Sequence, residues 1–471
     1  MKDHPSLWLR EADVEREEAA PILGGDERAD VCIVGGGYTG LWTALHLKEL
    51  EPSLDIVLVE RDVCGSGASG RNAGFVMSWW SKFTTLRKIC GDAEARRLAR
   101  LSADVPEQIA DFCQRNAIDA HYRPDGWLWT ASSQAQANSW DETVAVAAEG
   151  GDEPFELWQP EEVAARSGST RNIGGVFEPR VSTVQPALLV RGLRRVALER
   201  GIRIFENTPL VRLDRARPPK VVTPNGSVRA NHVVLAMNAW SVRFAEIRKA
   251  LIAVTSDMVA TPPIPEELIK VGLKDGVCVS DSRTLVHYSR TTLDGRLTFG
   301  KGGMTGKLPF GGKISPSFDG SSELTELVAR WMRWSYPELP ETAIDCSWSG
   351  LIDRGLDGLP RVNTLGGRPD ISYAVGFSGN GVGPCYLVSR MLASVALERK
   401  DEWSQCPMVR APKRDFPPEP IRYVGGQLVR RAVAACDDAA DAGTMPNPVT
   451  RFLASFAPAG LTPFKKPGTL E

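Results

Sequence analysis

Asp30-Val-Cys-Ile-Val34 runs directly into Gly35-Gly36-Gly37-Tyr38-Thr39-Gly40, and this junction decides the fold. The apolar pentapeptide reads as a strand buried within a parallel sheet. Beyond Gly40, Leu41, Ala44, Leu45 and Leu47 carry helical spacing to Leu50. A second apolar run, Ile56-Val-Leu-Val59, ends at Glu60. Strand, glycine turn, helix and strand make one unit of a Rossmann-like domain. Gly35 serves the tight turn, Gly37 the close approach of backbone to a pyrophosphate, and Gly40 the packing of helix on sheet. Tyr38 and Thr39 open the helix, whose free N–H groups and positive dipole end suit phosphate. Glu60 stands 20 residues after Gly40. There an acid accepts hydrogen bonds from a ribose 2′-hydroxyl and repels a 2′-phosphate. A dinucleotide site follows, with Arg61 next to its acid.

The segment after Glu60 separates flavin from nicotinamide. Cys64-Gly-Ser-Gly-Ala-Ser-Gly-Arg-Asn-Ala-Gly74 is dominated by small residues, which let backbone lie against a flat ring or a ribityl chain. Gly67, Ala68, Ala73 and Gly74 provide that surface. Ser69 and Asn72 provide hydrogen bonds, and Arg71 either neutralises the ligand or caps the loop. Near the other end of the chain, Tyr373 to Phe377 reads as a buried strand, followed by Gly379-Asn-Gly-Val-Gly383 and Pro384 at the first turn of a helix. That helix directs its dipole at whatever the loop holds, and would stabilise negative charge developing on a reduced flavin.

Taken together and in this order, these stretches resemble the FAD-dependent D-amino acid oxidase superfamily, in the branch with glycine oxidase, monomeric sarcosine oxidase and γ-glutamylputrescine oxidoreductase. Further matches are Val184-Gln-Pro-Ala187, Thr208-Pro-Leu210, His232 to Trp240 and Gly376 to Pro384. The resemblance implies an α/β (overall α+β) chain in which a Rossmann-like FAD-binding domain is interleaved with an antiparallel-sheet substrate domain. It places Leu210 and Asn238 on the cofactor, and Gly350, Gly379, Asn380, Gly381, Val382 and Gly383 around the ring. The expected layout is an arm at 1–25 and an FAD-binding domain at 26–90, 155–245 and 343–405. The substrate domain takes 91–154 and 246–342, and an extension takes 406–471. Expected within the insertions are a helix from Ala93 to Ala117 interrupted at Pro106, a strand at Gly126–Thr130, and a hairpin of Leu285–Arg290 with Arg296–Gly300. The flanks are read as docked tails, with a dimer contact or an active-site cap as alternatives.

By this resemblance the enzyme oxidises the C–N bond of an amine or amino acid, passing hydride equivalents to flavin and leaving an imine that hydrolyses. Oxygen or another acceptor takes the electrons. Monomeric sarcosine oxidases attach FAD through a cysteine, whose place is taken by Gly350, and the loop Cys64–Gly74 has no histidine, through which other relatives attach it, so the FAD is expected to be non-covalent. Phe75 and Gly383 occupy the places of the arginine and lysine that hold a substrate carboxylate in sarcosine oxidases. Thr298 replaces the lysine that promotes reaction with oxygen, and Lys301 is the nearby substitute. Tyr288 and Arg290 share one strand face and are the candidate catalytic pair. Trp79, Lys82, His287 and Arg354 join Phe75 as candidate substrate contacts, Lys82, His287 and Arg354 for a polar tail and Trp79, with Trp80 and Phe83, for an apolar cage that would keep the amine neutral. The looser likeness extends to γ-glutamylputrescine oxidoreductases and to proteins labelled aminophosphonate oxidoreductases.

Composition narrows the alternatives. The 471 residues carry 56 Lys plus Arg against 58 Asp plus Glu, a net charge of −2, which gives no reason to expect a nucleic-acid partner. No apolar run reaches membrane-spanning length, and the polar start lacks the features of a signal peptide. Nine scattered cysteines without a Cys-x-x-Cys pair, and five histidines in no ligand pattern, give no reason to expect a metal and point to the cytoplasm. A flavin-binding scaffold subunit and a flavin monooxygenase remain the competing readings. The oligomeric state is not read from the sequence.

Overall fold

A computed structural model describes residues 6–12, 20–302, 307–318, 320–339, 341–411 and 415–458. Two eight-stranded sheets organise them. The first has the order Arg361–Leu365, Arg368–Val375, Ser227–Leu235, Asp26–Val34, Ile56–Val59, Arg203–Phe205. The last five of these run parallel, and Lys220–Val222 and Arg212–Asp214 complete the eight as an antiparallel pair beside Ser227–Leu235. Every residue of Ile56–Val59 is buried, as a strand covered on both faces requires. The turn after the Asp26–Val34 strand is made by Gly35 at φ +113°, a conformation that side chains strain to adopt. A β-carbon on Gly40 would lie 1.9 Å from the Gly35 carbonyl oxygen, so only glycine lets the Tyr38–Leu50 helix close on the strand end.

The second sheet has the order Cys346–Arg354, Ile252–Ala260, Leu297–Lys301, His287–Thr291, Cys278–Asp281, Trp127–Ala131, Gly174–Glu178, Glu156–Trp158. All its pairings are antiparallel except that of Cys278–Asp281 with Trp127–Ala131. The expected hairpin forms, with His287 opposite Lys301 and Tyr288 opposite Gly300. Strand pairing moves two expected boundaries. Residues 156–178 and 346–354, assigned to the cofactor-binding segments, contribute strands to the antiparallel sheet. Gly174–Glu178 and Cys346–Arg354 pair with Trp127–Ala131 and Ile252–Ala260, far away in sequence, which no local pattern reveals. The expected break at Pro106 is also absent, because Asp92–Arg115 is one helix. Burial of Val105, Pro106, Ile109 and Phe112 along it outweighs the ~3 kcal/mol that an internal proline costs.

Both flanks dock on the body. In the Leu7–Ala12 helix, Leu7, Trp8 and Leu9 are buried. Ser6 Oγ donates to the Gly70 carbonyl (2.9 Å), and Gln185 Nε2 donates to the Trp8 carbonyl (3.0 Å). Trp8 meets Trp348 edge to face, and Trp348 Nε1 donates to the Arg71 carbonyl (2.8 Å). The arm therefore braces the small-residue loop from behind. Residues 13–19 of the arm, an acidic stretch in the sequence, lie outside the described residues, as do residues 459–471 of the extension. Among the described residues, no helix is long and apolar enough to cross a membrane.

A buried ion pair ties that loop to the helix Pro186–Glu199. Arg194 donates through Nε (2.9 Å) and Nη2 (3.0 Å) to Glu206, which also accepts from the Cys64 and Ala20 amides (2.8 and 2.9 Å). Burial alone would push the Glu206 carboxyl up. Arg194 and the two amides outweigh it and hold the group below its ordinary value. Its contribution to stability is present above the unfolded pKa and is lost as pH falls through the folded one. Arg194→Leu strands the carboxylate, and is expected to cost about 3–5 kcal/mol in a denaturant titration and to shift acid unfolding to higher pH. A loss under 1 kcal/mol would mean that the two amides suffice.

Candidate active site

A cavity of about 660 Å³ opens between the carboxyl ends of the parallel strands and one face of the antiparallel sheet. Ligands in open α/β sheets bind outside those strand ends. Gly35, Gly37, Tyr38 and Thr39 line it from the first turn, Glu60 and Arg61 from the second strand end, and Gly67, Ala68, Ser69, Arg71, Asn72 and Ala73 from the small-residue loop. Leu210, Asn238, Gly350, Gly379, Asn380, Gly381 and Val382 complete the set. Three expected cofactor residues do not reach it. Gly40 is sealed beneath Gly35. The Gly74 carbonyl accepts from Val184 N–H (2.9 Å), which turns that residue toward the sheet behind. Gly383 packs against the Met77 backbone, where a β-carbon would come within 2.6 Å of its carbonyl oxygen.

The geometry suits a dinucleotide. The helices Tyr38–Leu50 and Val382–Ala396 both begin at glycine caps, Gly37 and Gly381, without a side-chain capping bond. Two open N-termini therefore meet one cavity. Their first turns touch through Thr39 Oγ1 and Cys385 Sγ (3.1 Å). Ser69 Oγ accepts from Tyr38 N–H (2.9 Å), fixing the loop against the first helix. Glu60 accepts from Gly36 N–H (2.7 Å) and Asp62 N–H (3.0 Å), which leaves lone pairs for a ribose. Arg61 stacks over Trp240 at 4.0 Å, and Arg243 donates to the Leu210 and Val211 carbonyls (2.6 Å each). Trp240 and Arg243 line the cavity, and no residue-type rule marks either in the sequence.

The antiparallel sheet and the segment after Gly74 supply a second group of lining residues. Phe75, Lys82, Tyr288 and Arg354 are there as expected, with Met77, Ser256, Met258, Thr284, Val286 and Asp353 unforeseen. Burial brings the Lys82 ammonium down to about 7, with the nearby Arg354 charge adding to the effect, and burial brings Arg354 itself down to about 10. Burial pushes the Tyr288 phenol up. Its hydroxyl lies 2.9 Å from Ser256 Oγ, and its ring meets Phe75 edge-on. Asp353 is raised by burial to about 7, and its Oδ2 accepts from Gly376 N–H (2.6 Å), so it holds the turn that leads to Gly379. An acid in the apolar run Leu351-Ile352-Asp353 was the available sequence signal.

Five candidates lie elsewhere. Trp79 is buried in the core beside the helix Asp92–Arg115, its N–H donating to Ser102 Oγ (2.8 Å). Arg290 shares the Tyr288 face, as expected, but lies beyond the cavity, over the Trp8 ring at 4.7 Å. The Thr298 hydroxyl is spent on the Arg290 carbonyl (3.1 Å). His287 and Lys301 are a cross-strand pair on the opposite sheet face, with His287 Nε2 and Lys301 Nζ 2.7 Å apart and Lys301 over Trp331. Alternation along each strand sends them away from the cavity for the reason that brings Tyr288 into it.

Residues 30–395 match the family model described as FAD dependent oxidoreductase (DAO). γ-Glutamylputrescine oxidoreductase of Escherichia coli K12 is 29% identical over 413 residues, covering 86% of this chain and 93% of that protein. Glycine oxidase of Geobacillus kaustophilus is 24% identical over 386 residues, covering 79% and 94%. The crystal structure of glycine oxidase from Geobacillus kaustophilus superimposes with a TM-score of 0.66 at 21% identity, covering 81% of this chain and 98% of that one, and so shares the fold. With the strand–glycine turn–helix unit, the small-residue loop and the second open helix N-terminus around one cavity, the chain belongs to the DAO family of FAD-dependent oxidoreductases.

Proposed function

We propose that this protein binds FAD non-covalently and oxidises the C–N bond of an amine or amino acid bearing an acidic tail, a carboxylate or a phosphonate. The observation that carries the tail is the pair of cations, the buried Lys82 and the partly buried Arg354, lining the same cavity as the cofactor-binding residues. Two cations in one cavity wall suit a carboxylate or phosphonate, which takes charge-assisted hydrogen bonds from both. FAD, when bound, supplies the hydride acceptor. Thr39, Asn72 and the amides at Gly37 and Gly381 would hold it. Lys82 and Arg354 fix the tail, while Phe75, Met77 and Met258 exclude water around the reacting carbon. Such surroundings favour the neutral amine, the form able to release hydride. Tyr288 and Ser256 offer the hydroxyl pair that orients the nitrogen.

Non-covalent attachment is supported by the cavity lining. Among the described residues no histidine lines it, and burial holds the Cys385 thiol at about 12, beside Thr39. The similarity to γ-glutamylputrescine oxidoreductase makes γ-glutamyl amines one substrate class to try. Aminophosphonates are the other. Nine free thiols suit a reducing compartment, and we assign the protein to the cytoplasm.

The test is anaerobic bleaching of the bound flavin by N-methyl amino acids, D-amino acids, γ-glutamyl diamines and aminophosphonates. Acid-tailed amines are expected to bleach it and their tail-less analogues to fail. Admitting air then separates oxygen from another acceptor. Acid precipitation is expected to leave the flavin in the supernatant. A flavin that no amine reduces would favour a scaffold role instead.

A further inference from the structure

The C-terminal helices Ile421–Asp441 and Pro448–Ala454 reach the substrate side of the cavity without lining it. The link is the short connection between the strands Cys278–Asp281 and His287–Thr291. Two of its residues, Thr284 and Val286, line the cavity. Leu285, between them, is buried in an apolar cluster with Ala432, Val433 and Ala454 of the two helices. Leu285 N–H donates to Asp437 (3.2 Å). Arg283, two residues earlier, is fully buried and donates to Asp441, to Asp281 and to Ser132 Oγ (2.7 Å), with its guanidinium over Trp334. On the cavity side, the Val286 carbonyl accepts from Gly302 N–H (2.7 Å).

We propose that the C-terminal helical pair is a positioning element for substrate, in which Asp441 and Asp437 clamp Arg283 and Leu285 and thereby set Thr284 and Val286 in the pocket wall. The proposal rests on the cavity being the amine site. Its physical basis is the division of labour along the connection. Asp281 accepts from the Arg283 and His287 amides (3.2 and 2.9 Å) and Ser282 Oγ donates to the Thr130 carbonyl (2.9 Å), which fixes its two ends, while the middle, at Arg283 and Leu285, is also held by two carboxylates from a distant helix through bonds of the stronger, charge-assisted kind. Loosening the clamp leaves the small-residue loop, the glycine turn and both open helix N-termini untouched, so the effect falls on substrate and not on cofactor. It also gives the extension a role beyond that of a docked tail.

The test uses Asp441→Ala, with Asp441→Asn as the conservative control and Asp437→Ala as a second site in case the first variant folds poorly. Amide hydrogen exchange in the flavin-loaded protein needs no substrate. Exchange over residues 282–288 is expected to rise about tenfold in Asp441→Ala, with residues 65–74 unchanged, because the charge-assisted bond is lost. With whichever amine bleaches the wild-type flavin, KM is expected to rise about tenfold while kcat stays within about twofold, and Asp441→Asn is expected to recover part of the loss. Unchanged exchange over 282–288 in both Asp441→Ala and Asp437→Ala would overturn the clamp. Raised exchange with an unchanged KM would overturn the positioning role. Failure of the amine reading shows separately, in wild-type flavin that no amine bleaches.

Discussion

Gly37→Val is expected to give a folded protein that does not retain flavin. A β-carbon at residue 37 would lie 2.8 Å from Ser69 Oγ, the atom that accepts from Tyr38 N–H. The valine branches would then extend along the helix N-terminus, across the surface where backbone must approach phosphate. Ser69 would have to move, and with it the loop whose Asn72 side chain donates to the Ala68 and Ser69 carbonyls (3.0 Å each). Cofactor affinity is expected to fall at least about 100-fold, equivalent to about 2.8 kcal/mol. The parallel sheet makes no use of that position, so circular dichroism should stay native. The check is the ratio of flavin absorbance at the visible maximum to protein absorbance after gel filtration, followed by titration of the apoprotein with FAD. Retention of stoichiometric flavin would mean that the first helix N-terminus is not the phosphate site.

Lys82→Met and Arg354→Ala are each expected to raise KM for an acid-tailed amine about 100-fold, since truncating one partner of a buried charge pair typically costs 2–5 kcal/mol. Flavin content should be unchanged. An amine without an acidic tail should lose little further. The pH dependence isolates Lys82. In the free site its ammonium is brought down to about 7, so it is charged below that pH and neutral above it. A bound anion favours the charged form. Affinity for a simple carboxylate inhibitor, which has no amine to titrate, should therefore be flat below about pH 7 and fall about tenfold per unit above it. Arg354 stays charged throughout, since its own value is about 10. In Lys82→Met the inflection should vanish, leaving weaker and pH-independent binding. An unchanged inflection in that variant would assign the titration to Asp353, the other lining group near 7.

The sequence by itself determined the cofactor half of this protein. The strand into Gly35, the helix from Tyr38, the acid at Glu60 and the small-residue loop are contiguous, and their jobs follow from local backbone geometry and residue size. The helix after Gly381 was legible for the same reason, because Pro384 and the apolar spacing beyond it are local signals. The substrate half was decided by tertiary structure. Period two in the strand His287–Thr291 separates Tyr288 from His287, but which of them faces the cavity depends on the sheet face that the cofactor domain covers. That choice removed His287 and Lys301 and kept Tyr288. Arg290 was removed by the Leu7–Ala12 helix, which brings Trp8 over it from the far end of the chain. Asp353 entered the site because Cys346–Arg354 pairs with Ile252–Ala260 in the antiparallel sheet, nearly a hundred residues away in sequence. Burial then shifts Lys82, Arg354 and Asp353 by placing them in low dielectric, a property of the assembled walls and not of the residues alone.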